Sequence, residues 1–430
     1  MFFRIINKLN SKKNFPYYIV TPLIYAIGDA SEDISITALH AERLGKKILI
    51  FKTRYFQKFL RYHICNNALF DSLILNNQSN KRNFFYFIID CLIQIEFILR
   101  RGSAIFFKKF FKIDLGETFR FSFLGIENLR TFKKTINYNQ ITPLSIKDST
   151  ADLEHKKKKE CYKLLRSSGI KDKKFVCLHV RDNKYRNDIG RREYRNSDIN
   201  NYIELIKLLI SKDYYVFRMG AKPTPKLNFS NKQFIDYPYL DIKSELMDLF
   251  LIKECEFYVG TLSGTMHTAY LFNKPLLLTN MYELFSSFPG KKNDRGIFKK
   301  IIDKKTGEII NIKDFAKFAI NYHHSAIDIE DIMFQENSEE ELYNAMKEYL
   351  DFINKKNHLN NTEIQFDDIQ VKFNEFLHKR LEEIYNEFFV KNNFFKEKGD
   401  KFRRDSFINA IKRFKSCEGT YNSSYLQKNF

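Results

Sequence analysis

Short apolar runs bounded by polar turns open the chain and recur from Phe175 onward, separated by amphipathic stretches of helical period. Residues 17–21 read as a buried strand, 22–33 as a loop, and 34–44 as a helix with Ile36, Leu39 and Leu44 on its apolar face. Gly45 ends that helix and residues 47–51 form a second strand. Strand, helix and strand in this order predict a parallel sheet, because the helix carries the chain back to the same end. A longer series follows. Strands are expected at 175–180, 214–218, 234–236, 257–259 and 275–279, with helices at 200–211, 246–253 and 265–272 between them. This alternation predicts a second, doubly wound parallel sheet.

Between these series, residues 68–140 are rich in aromatics and predict helices with irregular insertions, and the Lys-rich stretch 145–160 reads as a linker entering a helix. Beyond Asp328 the pattern is helical. A capping box (Ser338-x-x-Glu341) precedes a helix at 342–353, and further helices are expected at 366–389 and 404–414. The expected domains are therefore 1–160, 161–330 and a helical extension at 331–430, with no repeat of solenoid period.

The 430 residues are 44 % hydrophobic and 16 % aromatic, which excludes general disorder. A formal charge of +20 suggests an anionic partner. The chain is also heavy in Lys, Asn, Ile, Phe and Tyr and lacks Trp, as an AT-rich genome would yield, so the charge discriminates little. No basic helix interleaves base-reading residues, so nucleic acid is not the expected partner. The six cysteines are scattered without CxxC or zinc spacing, which suits a reducing cytoplasm. The basic N-terminus lacks a long apolar core, and no secretory signal is expected.

The longest apolar run, 84–99, is interrupted by Asp90, Gln94 and Glu96, too many polar groups for a spanning helix. Asp90, Gln94 and Arg101 share one helical face. Two readings stand: a buried core helix, or an interfacial helix on an anionic membrane surface. The core helix is the plainer reading; the second gains support from the mixed aromatic and basic residues at 105–112, and on it the whole span from Phe84 to Lys112 would take part.

Candidate chemistry clusters at expected strand ends, where open α/β sheets bind ligands. After the strand at 257–259 come Gly260, Ser263, Gly264 and Thr265, then His267 in the helix. Free N–H groups at a helix start, with the helix dipole and nearby hydroxyls, suit a phosphate. Residues 178–182 deliver His179, Arg181 and Asp182 to another strand end; Arg181 suits bidentate phosphate binding, or else a structural pair with Asp182. Arg218 followed by Gly220 repeats the theme, with a salt bridge as its plainer reading. Asp29, in the loop 26–33, reads either as a helix cap or as a general base. His323 and His324 with Asp328, Glu330 and Asp331 fit no strong metal template, and no metal site or cofactor is expected.

His179-Val-Arg-Asp182, Tyr194-Arg-Asn-Ser-Asp198 with Asn201-Tyr202, Phe217-Arg-Met-Gly220 and Val259-Gly-Thr-Leu-Ser-Gly264 together resemble a family of bacterial glycosyltransferases linked to surface-polysaccharide genes. Glu336-Asn337 with Glu340-Glu341, and residues 423–429, resemble that family's ends. The resemblance is weak over 17–55 and spans 175–430 well. Ser263-Gly-Thr-Met-His267 with Pro275 is similar to the donor-binding segment of lipopolysaccharide heptosyltransferases, and Ile27-Gly-Asp29 to their N-terminal loop. His179-x-Arg181 resembles the donor-phosphate motif of the GT-B fucosyltransferases, but Asp182 stands where a second Arg is common there.

The resemblance implies a GT-B-like α/β fold, two Rossmann-like domains facing across a cleft, the acceptor on the first and a nucleotide-sugar donor on the second. It implies metal-independent, inverting transfer to a glycan or lipid-linked glycan, at the inner face of the cell membrane. Asp29 would act as base and Asp182 would hold Arg181. His179, Arg181, Arg218, Gly220, Ser263, Gly264, Thr265 and His267 would bind the donor. A nucleotide-sugar epimerase or hydrolase of the same shape, and a basic nucleic-acid binder, are the rival classes.

Overall fold

The computed structural model describes residues 8–22, 26–51, 64–78, 84–113, 151–170, 174–183, 193–222, 224–282, 289–312, 314, 332–358, 367–385 and 419–430. The helix expected at 404–414, the His323/His324 cluster, much of the insertion at 114–140 and most of the loop after Asp182 lie outside these residues, as does the side chain of Arg101. The chain separates into two compact units. The first holds residues 1–164 with 244–253 and 267–273; the second holds 165–243, 254–266 and 274–430.

In the first unit β1 (Tyr17–Val20) and β2 (Lys47–Ile50) pair in parallel, joined by helix α1 (Ile27–Arg43). The loop expected at 22–33 is corrected: the helix begins at Ile27, seven residues ahead of the expected Ile34. Ala30, Ser31 and Ile34 already face inward there, and Asp29 in the first turn complements the helix dipole. Helix α2 (Asn67–Asp71) leads to β3 (Leu73–Ile74). The 28-residue helix α3 (Phe84–Phe111) follows, and then β4 (Asp152–Leu153), antiparallel to β3, and α4 (His155–Ser167). Later segments are stitched in by hydrogen bonds: Ser31 Oγ lies 3.0 Å from Thr268 Oγ1, and Asn67 N–H donates to Glu245 Oε2 at 2.7 Å.

The second unit continues with β5 (Phe175–His179), α5 (Ile203–Ser211), β6 (Tyr215–Arg218) and β7 (Phe234–Asp236). Helix α6 (Glu245–Glu254), β8 (Tyr258–Gly260), α7 (Gly264–Leu271), β9 (Leu276–Met281) and β10 (Arg295–Phe298) follow in the chain. A small antiparallel sheet comprises β11 (Lys300–Asp303), β12 (Ile309–Ile310) and β13 (Ile332–Gln335). The chain ends with α8 (Glu339–His358), α9 (Asp368–Tyr385), β14 (Thr420–Tyr421) and α10 (Ser423–Asn429).

Seven parallel strands form the main sheet, in the order β14-β10-β9-β8-β5-β6-β7. Counted from β5, the six strands before β14 run 3-2-1-4-5-6, the doubly wound order. The fold is mixed α/β, as expected.

Val176, Leu178, Val216, Val259 and Leu277 form one core with Leu205 and Leu209 of α5 and Leu342, Met346 and Tyr349 of α8. The capping box forms, with Ser338 N–H to Glu341 Oε2 at 3.0 Å and Glu341 N–H to Ser338 Oγ at 3.2 Å. Helix α8 places its apolar positions at i, i+4 and i+7 against the sheet, so it is part of the second unit's core.

The pattern did not predict β10, β11 or β13. Arg295 begins β10, and its charge hides the strand in the sequence. It is buried because its guanidinium stacks 3.6 Å from the Phe352 ring centroid and donates to the Asp294 carbonyl at 2.9 Å.

Candidate functional site

The strand order reverses between β5 and β8, and in doubly wound sheets ligands bind outside the carboxyl ends at that point. Both strands end on expected site residues. His179 closes β5 and Gly260 closes β8, side by side in register. Only glycine fits at 260, because a Cβ there would stand 2.4 Å from the His179 carbonyl oxygen. The close approach lets Thr261 N–H donate to that oxygen at 3.1 Å and Thr261 Oγ1 accept from Arg181 N–H at 2.9 Å. Arg181 is thus delivered by a backbone clasped to the neighbouring strand.

Past Gly260 the chain turns into α7. His179 Nδ1 lies 3.2 Å from Ser263 Oγ, which lies 2.9 Å from Thr265 Oγ1, which lies 2.6 Å from the phenol of Tyr258. Burial pushes the Tyr258 phenol well above its ordinary range, so it stays protonated. Burial also holds the His179 imidazole down to about 4, with Arg181 and Arg218 adding to that effect and Asp182 opposing it. At neutral pH the histidine is uncharged. The chain from Tyr258 to His179 fixes the hydroxyls around the first turn of α7, where unsatisfied N–H groups suit an anion. Gly264 is the first residue of that turn, and His267 lies one turn along, its ring centroid 6.4 Å from that of Tyr270.

Arg218 ends β6 beside β5 and is 3 % exposed. Its Nη1 contacts both carboxylate oxygens of Asp236, each at 3.2 Å. Gly220 follows with φ +149, a conformation that L side chains rarely adopt. The loop after it returns to β5: Thr224 Oγ1 donates to Asp182 Oδ2 at 2.5 Å. Lys222 and Lys226 Nζ lie 5.5 and 4.9 Å from the Tyr239 ring centroid, and Tyr239 donates to the Thr224 carbonyl. These lysines were not singled out in the sequence, where two Lys among many carry no signal.

The segment 193–202 is fastened from several sides. Ser197 N–H donates to the Arg181 carbonyl at 2.9 Å, and Arg195 Nε donates to the Tyr282 hydroxyl at 2.9 Å. Lys299 Nζ donates to the Asn196 carbonyl at 2.6 Å, and burial lowers its amine to about 8. Glu336 Oε2 accepts from Asp198 N–H at 2.7 Å. Asn280 and Asn337 bind each other reciprocally, N–H to Oδ1 at 2.8 and 2.7 Å, and Tyr202 accepts from Asn280 Nδ2 at 2.9 Å. The separated motifs at 194–202 and 336–337 are therefore one scaffold behind Arg181.

In the first unit, Asp29 is exposed in the opening turn of α1, and its charge adds a small part to the upward push that burial gives the half-buried thiol of Cys65. Among the described residues no group of three or more His, Cys, Asp or Glu is placed to hold a metal ion.

No protein-family model and no curated protein matches the chain. Among solved structures, a glycosyl transferase family 9 protein from Veillonella parvula DSM 2008 overlaps 61 % of this chain and 80 % of its own, at 12 % identity and a TM-score of 0.35. An E. coli ADP-heptose LPS heptosyltransferase II overlaps 78 % of this chain and 99 % of its own, at 12 % identity and a TM-score of 0.37. Superpositions this loose carry no argument about fold or activity, which rest on the strand order and the side chains.

Proposed function

We propose that the chain is a glycosyltransferase that moves a sugar from a nucleotide-sugar donor to a glycan acceptor, lipid-linked in its natural form. The observation that carries the proposal is the His179–Ser263 contact across the strand-order reversal, at the first turn of α7 and next to Arg181. A cation, a row of hydroxyls and open N–H groups suit a diphosphate that gains charge as it leaves. The motif resemblance supplies the sugar. Seen alone, the geometry speaks for a phosphate-bearing ligand.

In the proposed step the acceptor oxygen bonds to the anomeric carbon as the bond from that carbon to the diphosphate breaks. The leaving group keeps the electron pair, and the configuration inverts. Asp29 takes the acceptor proton. Arg181 and the N–H groups of residues 263–265 stabilise the diphosphate, and neutral His179 with His267 orients phosphate or sugar. Arg218 acts through its pair with Asp236 in shaping the same wall. Positive charge comes from the protein itself, so the reaction needs no added cation, and EDTA should leave the rate unchanged. We set the reaction in the cytoplasm, at the inner face of the membrane; Cys65, Cys91 and Cys161 are thiols, as that compartment allows.

A thermal-shift screen with UDP-, GDP-, ADP-, CMP- and dTDP-sugars tests the donor. One of them should stabilise the protein, and Arg181→Ala and Ser263→Ala should each weaken that donor by about tenfold or more. Binding unchanged in both variants overturns the site. Asp29→Asn should bind donor normally and lose turnover. Free nucleotide or an epimer formed at catalytic rates without acceptor would replace transfer by hydrolysis or epimerisation.

A further inference from the structure

Helix α3 carries its polarity inside out. The polar side chains Asp90 and Gln94, 8 % and 3 % exposed, face inward beside buried Ile89 and Ile93, and Gln94 Nε2 donates to Asp90 Oδ1 at 3.0 Å. Tyr86 and Phe85 fasten the start of the helix to the first unit by stacking on Phe51 and Tyr17, at 4.4 and 5.4 Å between ring centroids. The opposite side presents Phe84, Ile88, Ile95, Leu99, Phe106 and Phe110, all exposed, at helical spacing along the full length. An ordinary surface helix shows the reverse arrangement. Leu99 and Phe110 are 64 % and 63 % exposed, and a continuous apolar stripe of this size marks a binding surface.

We propose that this stripe lies in the surface of an anionic lipid bilayer, with the helix axis parallel to the membrane. The charge at the end of this helix selects lipid over a protein partner. Lys108, Lys109 and Lys112 are exposed at the C-terminal end of the same helix, among the aromatics, and Lys109 Nζ lies 5.5 Å from the Phe110 ring centroid. Aromatics that enter the acyl boundary beside lysines that meet phosphate headgroups are the two halves of interfacial binding. The 28 residues span about 42 Å at 1.5 Å per residue, longer than a bilayer core, yet no helix among the described residues is apolar enough to cross. The inward polar pair also fits a helix lying flat, since Asp90 and Gln94 then remain against protein. Membrane binding through α3 does not depend on sugar transfer, and vesicle sedimentation reads it alone.

The full chain is sedimented with vesicles of phosphatidylcholine and with vesicles of phosphatidylcholine mixed with phosphatidylglycerol. It should bind the anionic vesicles and prefer them to the neutral ones. The pair Leu99→Asp with Phe106→Asp changes exposed positions only, so the unfolding midpoint should hold while vesicle binding falls by about 100-fold. Changing Lys108, Lys109 and Lys112 to Glu should abolish the preference for phosphatidylglycerol. Failure to bind either vesicle, or binding that the stripe variants leave intact, overturns the proposal. So does a dimer in light scattering that Leu99→Asp dissociates, because the stripe is then a contact between copies.

Discussion

Arg218, which is buried, and Asp236, which is half-buried, form an ion pair at adjacent strand ends, with one guanidinium nitrogen 3.2 Å from each carboxylate oxygen. Asp236 also accepts from Leu227 N–H at 3.3 Å, which ties the loop after β6 to the pair. Removing either partner alone leaves a charge without its counter-ion. Asp236→Ala, which leaves the buried guanidinium without its counter-ion, should cost about 3–5 kcal/mol in urea unfolding, and Arg218→Ala, which leaves a half-buried carboxylate that water reaches, should cost less. The double variant Arg218→Met with Asp236→Leu should recover most of that loss. Donor affinity in the double variant then separates two roles: retained affinity makes Arg218 a positioning residue, and lost affinity with restored stability puts it on the donor.

Gly260→Ala forces a methyl group into the His179 carbonyl, and both atoms belong to rigid strand ends. The backbones must part, so the variant should lose about 2–4 kcal/mol of stability. Donor binding should weaken with it, since the same contact sets the His179–Ser263 distance. A variant as stable as the parent would show that the strands do not approach this closely.

Asn337 serves three buried groups at once: it donates from N–H to Asn280 Oδ1, accepts from Asn280 N–H, and donates from Nδ2 to the Phe298 carbonyl at 2.7 Å. Asn337→Ala strands the last two groups, at about 1–3 kcal/mol each. Paired with Asn280→Ala in a double-mutant cycle, it should show a coupling of about 0.5–3 kcal/mol. Additive losses would mean that the two side chains act separately.

His179 and His40 are both held down from the ordinary 6.5 to about 4, chiefly by burial. The unfolded chain therefore binds protons that the folded chain does not across that interval. Stability from these histidines is complete above about 6.5 and falls as pH drops through the folded values near 4. The unfolding midpoint should decline on acidification over this window, and His179→Asn and His40→Asn should each flatten the decline. Donor binding through His179 should not change between about pH 6.5 and 8, where the ring stays neutral.

Much of the second unit was legible because its elements are short and clearly punctuated. The strands at β5, β6, β7, β8 and β9 fall within a residue or two of the expected spans. Where charge or glycine sits inside a strand, as in Arg295 to Phe298, the pattern fails, because the burial of Arg295 depends on an aromatic ring in α8. The loop expected around Asp29 failed for a milder reason. Small residues such as Gly28 and Ala30 give little periodic signal, although tertiary packing buries both.

The sequence by itself determined the alternation of strands and helices, the capping box at Ser338, and the delivery of His179, Arg181, Ser263 and Thr265 to element ends. Those follow from periodicity and local hydrogen bonding, which act over a few residues. Tertiary structure alone decided that β5 and β8 are neighbours, bringing His179 to Ser263 across 84 residues of chain. It also decided which way α3 faces, since a helical period shows which side chains share a side and says nothing of which side is buried. For α3 the polar side went in and the apolar side stayed out, because its contacts with β1 and β2 run through Phe85, Tyr86 and the neighbouring core.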